Sequence, residues 1–305
     1  MTLRRSRLTT LAGGAALLVA IAAATPAAAA DTGGVTPGGV TPGGVTPGGS
    51  DPPAATDPCT GTFREAYLCP DLTMAKPYDL YITRTAGGRT LLRAGNSIQN
   101  RGRGPAELNG TRIGVSTVMT ARQRIYKAAG GSITRRTGAR IVWKRVPGQD
   151  HYWKWENAAR FDLWSLDSAG RRVRIVRSSP KLIYCLRDYL HPNPGLPRSP
   201  RGTVYPACSQ EFTIRRRTLG TSVGWSDDYP SSYFEQWIDI TGLRAGRYSY
   251  VMTADPESSL SESDESNNQS WCTVTLPITQ SGFLPICGHR KTGSPPADRF
   301  GENGY

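Results

Sequence analysis

Between residues 59 and 289 the chain carries no apolar stripe at helical spacing over three turns. Short β-branched and aromatic runs recur there instead, each cut by Gly, Pro, Asn or Asp. Such punctuation predicts strands joined by tight turns. Tyr78 to Thr85 alternates, meets Gly87-Gly88 and continues as Thr90 to Gln99, a hairpin pattern. Arg112 to Val118, Arg122 to Lys127 and Ile141 to Val146 read as further strands, as do Lys181 to Leu186, Gln236 to Ile240, Arg247 to Ala254 and Trp271 to Ile278. Ala159 to Leu166 and Arg171 to Arg177 flank an Asp167-Ser168-Ala169-Gly170 turn. Many short strands at close spacing predict an all-β fold, an antiparallel β-sandwich with long loops.

All six cysteines lie in this segment of about 230 residues, which is long enough to bury a sizeable core. An even number of cysteines in an exported chain predicts disulfide staples rather than a metal cluster. Export is predicted by residues 1–30. Arg4, Arg5 and Arg7 form a basic head, Leu11 to Ala24 an apolar run, and Ala28 and Ala30 a small-x-small cleavage pattern. That run, roughly 14 residues, is shorter than the about 20 a transmembrane helix needs, so the mature chain is not expected to be transmembrane. The Ala-, Arg-, Gly- and Pro-heavy signal looks bacterial, which predicts a secreted, extracellular protein.

Residues 31–58 hold three Val-Thr-Pro-Gly-Gly copies and almost no bulky side chains, so they are expected to be a disordered linker. Residues 59–289 would then be the folded domain and 290–305 a flexible, polar tail. Loss of the three signal arginines takes the formal charge from +13 to +10. This charge is scattered rather than gathered in one aromatic-interleaved stripe. It suits a solvated surface or an anionic cell-wall polymer, and does not point to nucleic acid.

Two blocks near the C-terminal half are specific. One is Gln236-Trp237-Ile238-Asp239-Ile240-Thr241; the other is Glu262-Ser263-Asp264-Glu265-Ser266-Asn267-Asn268. Upstream lie Lys181-x-x-Tyr184-Cys185-Leu186-x-Asp188 and Cys69-Pro70-Asp71-Leu72. Together they resemble the catalytic domain of the lysyl oxidase family, over roughly residues 69 to 287 with a weaker middle.

The resemblance implies an extracellular copper amine oxidase that converts peptidyl lysine, or another primary amine, to an aldehyde with release of peroxide. A primary amine or a lysine-containing protein would be its partner. It also implies a lysine tyrosylquinone built from Lys181 and Tyr229, whose carbonyl would capture the substrate amine and act as an electron sink. The family holds copper with a His-x-His-x-His run, whose alternation turns three imidazoles to one side of an extended segment. Here that segment is Gln149-Asp150-His151-Tyr152-Trp153-Lys154-Trp155-Glu156. One register places Gln149, His151 and Trp153 at the ligand positions; the other places Asp150, Tyr152 and Lys154. At most His151 survives as a copper ligand, and lysine and tryptophan do not replace lost imidazoles at neutral pH. The Trp153-Lys154-Trp155 run fits either a filled metal pocket or an aromatic platform for a sugar or amine.

The resemblance further implies a structural calcium site from Asp71, the Leu72 carbonyl, Glu262, Asp264, Asn267 and Asn268, a hard-oxygen set suited to that ion. Six cysteines allow fifteen pairings. The family bridges imply Cys185–Cys208 and Cys272–Cys287, and proximity suggests Cys59–Cys69. Two functions stay open: a copper amine oxidase, or a non-catalytic cell-surface binding or structural module on the same scaffold.

Overall fold

The computed structural model describes residues 57–62 and 64–278, together with the backbone of 287–289. The expectations for 1–30, for most of 31–58 and for 290–305 lie outside the described residues. By chain compactness the protein divides into residues 1–53 and 54–305, and the described fold belongs to the second unit.

That unit is all-β and antiparallel. Its strands are β1 Tyr67–Leu68, β2 Leu72–Met74, β3 Tyr78–Arg84, β4 Thr90–Asn100, β5 Ala106–Thr111, β6 Val118–Lys127, β7 Ser132–Arg145, β8 His151–Leu166, β9 Arg172–Ser178, β10 Leu182–Tyr184, β11 Arg216–Thr221, β12 Ser226–Tyr229, β13 Trp237–Asp239, β14 Gly246–Ala254, β15 Gln269–Leu276 and β16 Cys287–His289. One sheet runs β11-β5-β6-β7-β8-β14-β15-β16, with β1 beside β6 and both β9 and β10 beside β8. The second is centred on β4, flanked by β12, β13, β2 and β3.

The sheets form a sandwich because each turns an apolar face inward. Leu72, Met74, Leu92, Ile98 and Ile238 from the smaller sheet share one core with Leu108, Met119, Ile141, Trp153, Phe161 and Tyr250 from the larger. Among the described residues no helix is long and apolar enough to cross a membrane.

Most strands fall where alternation and turns put them. The hairpin closes with Gly88 at φ 78°, and Gly170 at φ 79° ends the turn from β8 to β9. Arg112 to Val118 is a correction. The strand is Ala106–Thr111, and the chain turns at Gly114, φ 61°. Ile113 and Val115 are 93% and 83% exposed, so their β-branched character is not used in pairing. Arg112 organises the turn, with its guanidinium donating to the carbonyls of Ile214 (2.8 Å), Ser116 (2.8 Å) and Phe212.

Cys59–Cys69 and Cys185–Cys208 are bridged, with Cα–Cα separations of 5.6 and 5.2 Å. Cys272 is disulfide-bonded. The β15–β16 register sets it opposite Cys287, whose side chain lies outside the described residues.

Candidate functional site

Tyr229 ends β12, opposite Asn96 of the central strand β4. This pairing carries it into the core, 5% exposed. Its hydroxyl accepts the Cys185 N–H at 2.8 Å. Its ring lies 4.1 Å from that of Tyr184 and 4.9 Å from Tyr233, the latter edge-on. Burial holds the phenol well above its ordinary pKa, and Asp227 adds to the shift.

Lys154 lies beside Tyr229. Alternation along β8 turns Tyr152 and Lys154 to one side and His151 and Trp153 to the other. The Lys154 ammonium sits 5.0 Å from the ring centres of both Tyr229 and Tyr233 and 5.9 Å from Tyr152. It donates to the Tyr233 hydroxyl at 3.1 Å and is 1% exposed. Burial lowers its pKa to about 8, while Asp227 pulls in the opposite direction. Asp227 is fully buried, accepts the Leu186 N–H at 2.9 Å and lies 3.4 Å from the Arg187 guanidinium. Burial raises it to about 6 against the pull of Arg187 and Lys154.

Lys181 is exposed just before β10. It lines a cleft of about 100 Å³ with Asn157, Arg160, Pro256 and Glu257. Cys185 touches the Tyr229 hydroxyl, and at about 3.3 Å per extended residue Lys181 lies about 13 Å further along the chain.

His151 opens β8 opposite Arg145. Its ring stacks on Trp143 at 5.7 Å and its Nδ1 lies 3.3 Å from the Asp150 carboxylate. His191 stacks on Trp225 and contacts the Ser199 hydroxyl at 2.7 Å. The side chain of His289 lies outside the described residues. Among the described residues no group of three His, Cys, Asp or Glu side chains could hold a metal ion. The donors near Tyr229 therefore do not fit copper: the nearby strand offers it an ammonium and a phenol.

The calcium candidates converge better. Glu262, fully buried, accepts the Leu72 N–H and, at 3.0 Å, the Asn268 amide. The Asn267 amide donates to Asp71 at 2.9 Å. Asp264 caps the short turn Glu265–Asn267 by accepting the Ser266 N–H. The side-chain oxygens of Asn267 and Asn268 are buried without a hydrogen-bond partner.

The lysyl oxidase family model matches residues 107–282, more than half of the chain. The chain belongs to the lysyl oxidase family. Relatives include the pig (Sus scrofa) protein-lysine 6-oxidase, 27% identical over 139 residues that make up 44% of this chain and 47% of the pig protein. The rat (Rattus norvegicus) protein-lysine 6-oxidase is also 27% identical, over 44% of this chain and 29% of its own length. Human (Homo sapiens) lysyl oxidase homolog 1 is 29% identical over 136 residues, 44% of this chain and 21% of that protein. The chain thus spans less than half the length of the curated relatives it matches. Within this lysyl oxidase scaffold, sequence reasoning missed Lys154, Asp227 and Tyr233. The usable signal was a lysine flanked by tryptophans on a strand, since lysine is seldom fully buried.

Asp228 supplies a pH test. Its carboxyl accepts the Tyr78 hydroxyl at 3.0 Å. Burial raises it from 3.8 to about 7, with Asp227 adding and Tyr78 and Arg187 opposing. A folded pKa above the unfolded value means that its contribution to stability is fully present below about pH 4. That contribution is lost as pH rises through about 7. Asp228→Asn keeps an acceptor for Tyr78 and removes the charge. It should gain on the order of 2 kcal/mol over the parent at pH 8, a gain that shrinks toward pH 4. Urea titrations across that range check it, and equal differences at both ends would refute the sign.

Proposed function

We propose that this domain is a lysyl oxidase scaffold that does not oxidise amines, and that it works outside the cell as a basic binding module tethered by its N-terminal repeat. The observation that carries this is the ammonium of Lys154 seated against Tyr229, with the nearby imidazole of His151 turned to the other side of β8. A copper ion there would meet a buried like charge, and a tyrosine without copper has no route to the quinone. Protein-lysine 6-oxidase, the name the relatives carry, would then describe the ancestral reaction.

The partner proposed is an anionic polymer of the cell wall. A groove of about 380 Å³ beside Tyr126, Tyr205 and Val223 is rimmed by Arg103, Lys127 and Arg198, and its described lining carries no acidic side chain. Salt-sensitive retention on isolated wall is the expected result.

The test is copper loading of the purified protein, followed by metal analysis, peptide mapping and a peroxide assay with primary amines. No copper retained, no Lys181–Tyr229 cross-linked peptide and no peroxide are expected. One bound copper per chain with that cross-link would overturn the proposal and restore the amine oxidase reading, which the presence of Lys181 and Tyr229 at the family positions favours.

Calcium at Asp71, Leu72, Glu262, Asp264, Asn267 and Asn268 is proposed as structural. The orphaned Asn267 and Asn268 oxygens support it. At an affinity typical of extracellular sites, about 1 mM calcium should stabilise the fold by about 0.4–1.4 kcal/mol. Glu262→Gln should abolish that gain. Thermal melts with calcium and with chelator check it; identical melts in the parent would remove the ion.

A further inference from the structure

We infer that Lys154 is an internal ligand: its ammonium fills an alkylammonium-binding cage formed by Tyr152, Tyr229 and Tyr233. The inference rests on the proposal that no copper is held beside Tyr229, and identifies what holds the space instead.

The energetics of a buried cation lead to this cage. An ammonium carries three donors, and Lys154 is 1% exposed with a hydrogen bond to the Tyr233 hydroxyl at 3.1 Å. Burial on such terms is unfavourable by several kcal/mol unless the surroundings replace the lost hydration. Here the rings of Tyr229 and Tyr152 stand at 5.0 and 5.9 Å, both within the about 6 Å over which a ring quadrupole attracts a cation, and Tyr233, its ring centre at 5.0 Å, meets the ammonium through its hydroxyl. The two carboxylates that favour its charge have other cations of their own, Asp227 the Arg187 guanidinium and Glu235 the Lys144 ammonium. Lys154 is therefore held chiefly by ring faces and a hydroxyl, the chemistry that recognises a primary alkylammonium rather than that of a plain ion pair.

A second feature points the same way. Glu235 adopts φ 66°, a left-handed conformation that a non-glycine residue takes at some cost. One of its carboxylate oxygens is buried without a hydrogen-bond partner. Glu235 lies two residues past Tyr233, and its charge favours the ammonium of Lys154.

Truncation of Lys154 to alanine removes the equivalent of n-propylamine and should leave a cage that takes that amine back. The experiment is thermal unfolding of the full-length Lys154→Ala protein in tens of millimolar n-propylammonium chloride. Potassium chloride at equal ionic strength and 1-propanol serve as controls. The expected result is a lowered Tm of which n-propylammonium restores at least half, while neither control does. Wild type and Lys154→Met, whose cages stay filled, should not respond. A folded Lys154→Ala protein that gains no more from the amine than from 1-propanol overturns the inference, as does an equal response in Lys154→Met. Should Lys154→Ala not fold alone, refolding yield becomes the readout: rescue by n-propylammonium alone supports the cage, and no rescue overturns it. Copper analysis of wild type is separate, so failure of the cage and failure of the non-catalytic reading give different results.

Discussion

Trp153→Ala is expected to lower the unfolding free energy by about 4 kcal/mol, the largest effect of any single truncation discussed for this domain. The indole is fully buried. It stacks on Phe212 at 6.2 Å and 7°, tilts against Trp143 at 5.2 Å, and lies under the Arg112 guanidinium at 5.2 Å. Its N–H donates to the Glu211 carbonyl at 3.0 Å. Alanine would leave a cavity between the sheet and the loop through Phe212, strip Arg112 of a ring, and leave the Glu211 carbonyl without that donor. Trp153→Phe keeps most of the volume and should cost about 1–2 kcal/mol. Urea unfolding of the three proteins measures both differences. A loss below about 1 kcal/mol in Trp153→Ala would mean that the ring is not core and would revive the aromatic-platform role.

The Cys185→Ser, Cys208→Ser double variant is expected to lose about 3 kcal/mol. In the chain-entropy account, a bridge across 23 residues removes about 11 cal/mol/K from the unfolded ensemble, about 3.4 kcal/mol at 25 °C. This bridge also bears on the site, because the Cys185 N–H is held by the Tyr229 hydroxyl. The Leu186 N–H beside it binds Asp227. Freeing the loop should therefore loosen Tyr229 and Asp227. Equilibrium unfolding checks the stability. A loss under about 1 kcal/mol would mean that the hydrogen bonds of Asp188, to Val204, Tyr205 and Ser222, hold the loop unaided.

Strand-forming runs and turn residues located β3, β4, β9 and β14, although β4 and most of β14 are buried on both faces and β9 is largely exposed. The same signal failed at Ile113 and Val115, where side chains of strand character sit on an exposed turn. It also passed over β5, β11 and β12. Glu107, Asn109, Asp227 and Asp228 give these strands a polar look, yet Glu107 and both aspartates are buried. Tyr126 and Tyr205 hydroxyls cover the Glu107 carboxylate, and β4 and the Cys185 loop cover the aspartates. Partners drawn from such separated segments have no local signature.

The residues alone determined the class of fold and the family, since periodicity, cysteine placement and two dense motifs are local properties. They also showed that His151 stands without its two companions. Only the tertiary structure showed that Lys154 packs against Tyr229. No sequence signal tied Lys154 to Tyr229: β8, paired with β7, carries it among Tyr152, Tyr229 and Tyr233, while Lys181 is exposed before β10. Contact across a sandwich depends on strand register and on how the two sheets face each other, and neither is written in any one stretch of chain.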